Sequence, residues 1–220
     1  MAYFEENLEK QIETPGGKLV QVFGDKENAN VSVALVRMSK AKQGVRHYHD
    51  NITEIYFFAY GEGEIIINGN VNEVQKGDLF IIPPKNIHLI KAKTDMNFIC
   101  ICTPPWKEEH EFVTEEEINS GNIFKSNMLG NILKLSEKNE HVIKINLINN
   151  STYIPSKDSL NYTKVYFIGK GNGKIIINDE IIDVFEGECY LVRPNDKVEI
   201  ISKEELKFIE VNDIINYDIR

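Results

Sequence analysis

Three of the five histidines in this 220-residue chain fall at spacings that favour joint chemistry. His47 and His49 are two positions apart, so on a β-strand their side chains project to the same side. Asp50-Asn51 supplies a turn, after which the chain returns with Glu54. His88 follows just after the proline-stiffened turn at Pro83-Pro84. Three neutral imidazole nitrogens and a carboxylate suit a divalent transition metal, whether Fe, Mn, Ni, Zn, Co or Cu. In an octahedral arrangement, four protein ligands leave two positions for substrate, water or dioxygen. An ion open in that way polarises a carbonyl or lowers the pKa of bound water.

Other side chains enter the same reading with plainer alternatives. Tyr56 and Phe58 share the face of Glu54 by strand alternation and are expected to line the cavity. Tyr56 is then an acid–base candidate, or else it fills the barrel together with Phe58. Glu54 itself either binds the metal or serves as a base. Arg37 either reaches a substrate carboxylate or faces outward, and the outward orientation is expected. Cys100 and Cys102 also share a face and read as small buried hydrophobes. Trp106, after Pro104-Pro105, either lids the barrel or packs against the other half, with packing expected. His110 and His141 lie outside the pattern and read as ordinary polar residues.

Positioning these groups requires a scaffold, and the sequence supplies one twice. Gly61-Glu-Gly-Glu-Ile-Ile-Ile-Asn68 recurs as Gly171-Asn-Gly-Lys-Ile-Ile-Ile-Asn178. The same displacement carries Tyr56-Phe57 onto Tyr166-Phe167, Gly77 onto Gly187 and Pro84 onto Pro194. Upstream, Phe23-Gly-Asp-Lys-Glu resembles Leu135-Ser-Glu-Lys-Asn with a slip of about two residues between Met38 and Glu54. The ordered series indicates a tandem duplication. Within each half, short β-branched runs alternate with Gly and Pro breaks, as in a sandwich or barrel. In the first half, strands are expected over 31–38, 55–60, 64–68, 71–74, 79–82, 88–91 and 97–103. Asn68-Gly69 between two of them signals a tight hairpin. The second half repeats the plan over 174–178, 181–185, 189–192 and 197–202. Between the halves, Thr114-Glu-Glu-Glu117 carries a capping box that predicts a short helix near 115–119, followed by a linker around Ser120-Gly121-Asn122.

At these residues the chain resembles the cupin superfamily. The first cupin motif is matched by His47, His49, Glu54 and Gly61; its leading glycine is displaced, because Gly44 stands only three residues before His47. The second motif is matched by Gly77, Pro83 and His88, with Lys85 in place of its inner glycine and Ala92 in place of its closing asparagine. The exit Cys100-Ile-Cys-Thr-Pro-Pro-Trp106 is similar to the end of single-domain cupins of the mannose-6-phosphate-isomerase-like group. The resemblance implies an all-β bicupin: two tandem double-stranded β-helix (jelly-roll) barrels joined by a short helical linker. Residues 1–112 form the metal-binding barrel in this reading, and residues 113–220 a barrel with a degenerate site. In the second half His47, His49, Glu54 and His88 fall on Lys157, Ser159, Lys164 and Val198, and residues 142–220 contain no histidine. Lysines facing an old metal cavity repel a cation, which leaves that barrel structural or tolerant of anions.

Composition bounds the rest. The net charge of −9 without a long basic run argues against nucleic acid as a partner. No stretch approaches the roughly 20 apolar residues of a membrane helix, and MAYFEENLEK lacks signal-peptide order, so neither membrane nor export is expected and a cytoplasmic location is. Three cysteines without a Cys-x-x-Cys pair make no disulfide framework. The expected function is a metal-dependent enzyme on a small organic molecule, performing dioxygenase-type oxidation or sugar/keto isomerisation. The alternative is a non-catalytic module that binds a small-molecule ligand. A homodimer is compatible with either.

Overall fold

The computed structural model describes residues 2–3, 11–14, 17–23, 31–114, 124–127, 143–155 and 163–212. Their strands, in chain order, are β1 (Ala2–Tyr3), β2 (Gln11–Thr14), β3 (Gly17–Phe23), β4 (Ser32–Met38), β5 (His47–His49), β6 (Thr53–Tyr60) and β7 (Glu62–Ile67). There follow β8 (Asn70–Gln75), β9 (Asp78–Ile82), β10 (His88–Ala92), β11 (Met96–Thr103), β12 (Glu111–Val113) and β13 (Phe124–Asn127). The remainder are β14 (Ile143–Ile148), β15 (Ser151–Tyr153), β16 (Lys164–Lys170), β17 (Gly173–Ile177), β18 (Glu180–Val184), β19 (Cys189–Val192), β20 (Val198–Ser202) and β21 (Leu206–Asn212). Glu108–His110 forms one 3-10 turn. The helix expected near 115–119 and the linker around Ser120 lie outside the described residues, as does His141. Among the described residues, no helix is long and apolar enough to cross a membrane.

Two compact units result, Glu6–Asn127 and Met1–Glu5 with Met128–Arg220. In the first, a seven-stranded sheet of order β13-β9-β6-β11-β4-β3-β2 faces a five-stranded sheet of order β12-β5-β10-β7-β8. In the second, the orders are β1-β19-β16-β21-β14 and β15-β20-β17-β18. Every pairing is antiparallel, and the architecture is that of jelly-roll barrels. Alternation places Ile65 and Ile67 of β7 in the first core with Phe58, Phe80 and Phe98. Ile175 and Ile177 of β17 do the same in the second, with Tyr166 and Phe208.

The duplicated residues mark backbone positions that both barrels need. Asn68-Gly69 and Asn178-Asp179 both adopt positive φ at the two central turn positions, the twist that a two-residue hairpin requires. Gly61 (φ +85°) and Gly171 (φ +86°) cross so close to a neighbouring strand that a Cβ would lie 2.2 Å from the carbonyl oxygens of Asp95 and Glu205, respectively. No other residue fits there without moving backbone.

The second core holds buried charge. Lys164 and Glu210 are both fully buried. The hydroxyls of Tyr153 and Tyr166 donate to Glu210 Oε2 at 2.8 and 2.9 Å, and Asn212 Nδ2 donates to Oε1 at 3.3 Å. Burial, then the Glu210 charge, pushes both phenols far above their ordinary pKa. The displacement that maps Glu54 onto Lys164 also maps Cys100 onto Glu210 and Cys102 onto Asn212. A lysine therefore occupies the position of the first barrel's carboxylate, and the second barrel supplies its own anion on the adjacent strand.

Candidate metal centre

Strand register brings the four proposed ligands together. β5 lies between β12 and β10, and His88 of β10 pairs directly with His47. The ring centroids of His47 lie 5.1 Å from His49 and 4.4 Å from His88. Glu54 rises from β6 beneath them, 3% exposed. Its Oε2 is 2.7 Å from His88 Nε2, 3.5 Å from His49 Nε2 and 4.0 Å from His47 Nε2. Donor atoms of His47, His49 and Glu54 all fall within 4.8 Å of one another, and His88 closes the other side of the carboxylate.

Each imidazole is oriented by a backbone carbonyl. His47 Nδ1 lies 2.9 Å from Val45 O, His49 Nδ1 3.0 Å from His110 O, and His88 Nδ1 2.9 Å from Asn86 O. A carbonyl only accepts, so each Nδ1 carries a proton, and in the neutral ring, the form that binds a metal, the Nε2 lone pair turns toward Glu54. His49 Nε2 and Glu54 Oε2 are then buried acceptors without a hydrogen-bond donor. Acceptors converging without donors are stabilised by a cation, and the donor set fits a divalent transition metal. His47, His49, Glu54 and His88 are the residues that would hold it.

The supports of these rings escape a reading of side-chain types. His110, outside the histidine pattern, contributes its backbone carbonyl to His49 while its own Nδ1 donates to Asp50 Oδ1 at 3.0 Å. Lys85 takes a positive φ of 65° where the motif has glycine, and its N–H donates to His49 O at 2.6 Å. Asn86, buried, donates to the carbonyls of Pro83 and Pro84 at 2.9 and 3.2 Å and accepts from Asn68 Nδ2 at 2.7 Å. The recurrence of Asn68 as Asn178 was the available signal: Asn178 makes the same link to Asp196 at 2.6 Å.

The carboxylate's other oxygen faces a different set. Tyr56 Oη donates to Glu54 Oε1 at 3.1 Å and lies 3.2 Å from His88 Nε2. Cys100 Sγ is 3.3 Å and Cys102 Sγ 3.8 Å from the same oxygen. Neither cysteine is an isolated apolar filler. Phe58, by contrast, belongs to the core and does not reach the cavity.

A cavity of about 390 Å³ opens from this pole. Its walls are largely hydrocarbon, including Ile12, Leu19, Val36, Met38, Ile90 and Phe98. Ala34, Val36 and Met38 of β4 face it, so Arg37 points away by alternation. Among the described residues, no lysine or arginine lines it. Trp106, 42% exposed, lines the cavity too, its Nε1 donating to Glu111 Oε2 at 2.7 Å and its N–H to Ser32 Oγ at 2.8 Å.

In the metal-free protein, where a ring that takes a second proton donates through Nε2, burial alone would raise the Glu54 pKa, but the His88 charge and hydrogen bonds from His49 and His88 hold it well below the carboxylate range. Burial lowers His49, but its bond to Glu54 and that group's charge outweigh this and raise it. Burial, then His88, lowers His47. Burial and the Glu54 charge keep Tyr56 protonated far above its usual range. For the metal-free protein, the depressed Glu54 contributes stability above its unfolded pKa near 4.5, lost as pH falls through the folded value. The raised His49 contributes stability below its unfolded pKa near 6.5, lost as pH rises through the folded value. The lowered His47 has the opposite sign and shifts the optimum up toward 6.5. Thermal unfolding in chelator should show stability falling on both sides of the window from about 4.5 to 6.5, and saturating metal should remove the alkaline loss.

The cupin domain family profile matches residues 34–104. The chain is 23% identical to L-ectoine synthase of Hahella chejuensis over 107 residues, 47% of this chain and 80% of that enzyme. It is 30% identical to L-ectoine synthase of Halalkalibacterium halodurans over 76 residues, 33% of this chain and 59% of that enzyme. Among solved structures, oxalate decarboxylase from Bacillus subtilis superposes with a TM-score of 0.65 at 15% identity, covering 92% of this chain and 74% of that one. Protein Ylba from E. coli superposes with a TM-score of 0.71 at 12% identity, covering 96% and 88%. These two enzymes match 47% and 33% of the chain, whereas the structural likeness in fold extends over most of it.

Proposed function

Residues 34–104 match the cupin domain family, and from that premise we propose that the first barrel is a metal-dependent enzyme for a small, mostly hydrocarbon molecule with one polar end. The observation that carries this reading is the pair of donor-less buried acceptors, His49 Nε2 and Glu54 Oε2, at the one polar pole of an apolar cavity. A divalent metal on His47, His49, Glu54 and His88 would supply Lewis acidity toward a carbonyl or a bound water. Glu54 neutralises charge from beneath the histidines. Tyr56 stays protonated, so it serves as a hydrogen-bond donor to Glu54 and not as a base. The hydrocarbon walls exclude bulk water and orient the substrate's polar end toward the histidines.

The lining favours oxidation of an apolar substrate over isomerisation of a sugar. A sugar's hydroxyl groups would give up water without gaining partners along Val36, Ile90 and Phe98, at about 1–3 kcal/mol for each. A keto compound with one carbonyl end meets no such penalty.

Elemental analysis of protein purified without chelator should find about one equivalent of a transition metal, lost in His49→Ala. Oxygen uptake should follow on adding small apolar compounds with a keto or dicarbonyl end. Protein that neither retains a metal nor takes one up on titration would overturn the proposal. Metal and ligand binding without turnover would identify a binding module instead.

A further inference from the structure

Glu54 divides its two oxygens between different chemistries. Oε2 faces imidazoles, while Oε1 faces two thiols, and the thiols lie 3.7 Å apart. We propose that Cys100, Cys102 and Glu54 Oε1 form a second, thiophilic metal site, joined to the histidine centre through the bridging carboxylate.

The distances already match a tetrahedral ion. Two thiolates bound at about 2.3 Å and a tetrahedral angle lie about 3.8 Å apart, and a thiolate and a carboxylate oxygen on the same ion lie about 3.6 Å apart. The observed separations are 3.7 Å between the sulfurs and 3.3 and 3.8 Å from sulfur to oxygen. All three atoms lie within 4.8 Å of one another and all three residues are buried. The register that achieves this is fixed by pairing: Cys102 lies opposite Glu54 and Cys100 opposite Tyr56. Both cysteines line the cavity, which gives an ion a route in. Soft sulfur ligands select zinc, cadmium or copper(I) over manganese, so the two oxygens of one carboxylate would sort two classes of cation. Binding breaks two S–H bonds, forms two metal–sulfur bonds and releases two protons to the buffer. A tetrahedral ion held by three protein atoms keeps one position for a ligand from the cavity.

The second barrel lacks this arrangement, because the same positions hold Glu210 and Asn212. Its one cysteine, Cys189, is buried on β19.

Titration of the metal-free full-length protein with cadmium tests the proposal. Two bound equivalents by equilibrium dialysis are expected, with a thiolate-to-cadmium charge-transfer band in the ultraviolet. Cys100→Ser/Cys102→Ser should lose the band and one equivalent, while His49→Ala should keep the band and lose the other equivalent. The two readings therefore fail separately: loss of the histidine equivalent alone leaves the band in place. Circular dichroism checks that each variant is folded, and Cys100→Ala/Cys102→Ala repeats the test should the serines unfold it. Absence of the band from the wild type overturns the proposal. So does a band that survives the double substitution, or a single equivalent abolished by either variant, which would mean one shared ion.

Discussion

Glu54→Gln is expected to empty the histidine centre while leaving the barrel, at alkaline pH where the raised His49 is neutral, as stable as before, or more so. The carboxylate approaches His47, His49 and His88 together, and it is removed from water. An amide is neutral, and its NH₂ group can donate to an imidazole Nε2 that the carboxylate can only oppose. At that pH the change removes a buried charge and satisfies an orphaned acceptor in the metal-free protein, while taking a ligand from the metal; between about 4.5 and 6.5 it instead loses the stability that the charged Glu54 contributes. Loss of a mere hydrogen-bonding partner of a ligand costs about 10–100-fold in metal affinity, and loss of a ligand should cost more than 100-fold. Metal titration followed by thermal unfolding with and without metal measures both signs. A variant that binds metal within about tenfold of wild type would show that Glu54 is no ligand.

Glu210→Ala should do the reverse, destabilising the second unit by about 3–5 kcal/mol while leaving metal binding in the first intact. Glu210 is the one buried carboxylate among the described residues of that unit. Its removal strands the hydroxyls of Tyr153 and Tyr166, which now donate to it, and withdraws the anion on the same sheet face as buried Lys164. Replacing a charge that three side-chain donors address leaves unmet desolvation costs that no small side chain offsets. Denaturant unfolding, with metal equivalents measured on the same sample, separates the two units' responses. A loss below about 1 kcal/mol would mean that the polar cluster is not what holds this core.

The pattern of the sequence announced much of this. Alternation and turn residues located β4 and β6 to β11 to within a few residues, because β-branched runs break at turn residues such as Gly77, Pro83 and Asn68-Gly69. The spacing of His47, His49, Glu54 and His88 indicated one centre because strands and tight turns leave few ways to place them. What remained hidden depends on pairing between distant segments. Cys100 read as an inert filler because nothing local says that β11 lies against β6 with Cys102 opposite Glu54. The support of His49 by the His110 carbonyl is a backbone matter, blind to residue type. Ile12 and Leu19, from strands that the periodicity did not announce, wall the cavity. Trp106 lines that same cavity, half exposed and tied to Glu111, an arrangement set by the 3-10 turn between them.

The outer strands of the two larger sheets follow one rule. β13 closes the first against β9, and β1 closes the second against β19, its counterpart in the repeat. Ala2 finds its partner in Leu191, on the far side of the whole first barrel in chain order. During synthesis β1 must stay unclaimed until β19 has emerged, after the whole first barrel. An unclaimed edge is where a second chain can add itself, so an early release or a cut between the halves exposes both molecules to mispairing. The duplication is thus divisible in its cores and indivisible in its chain.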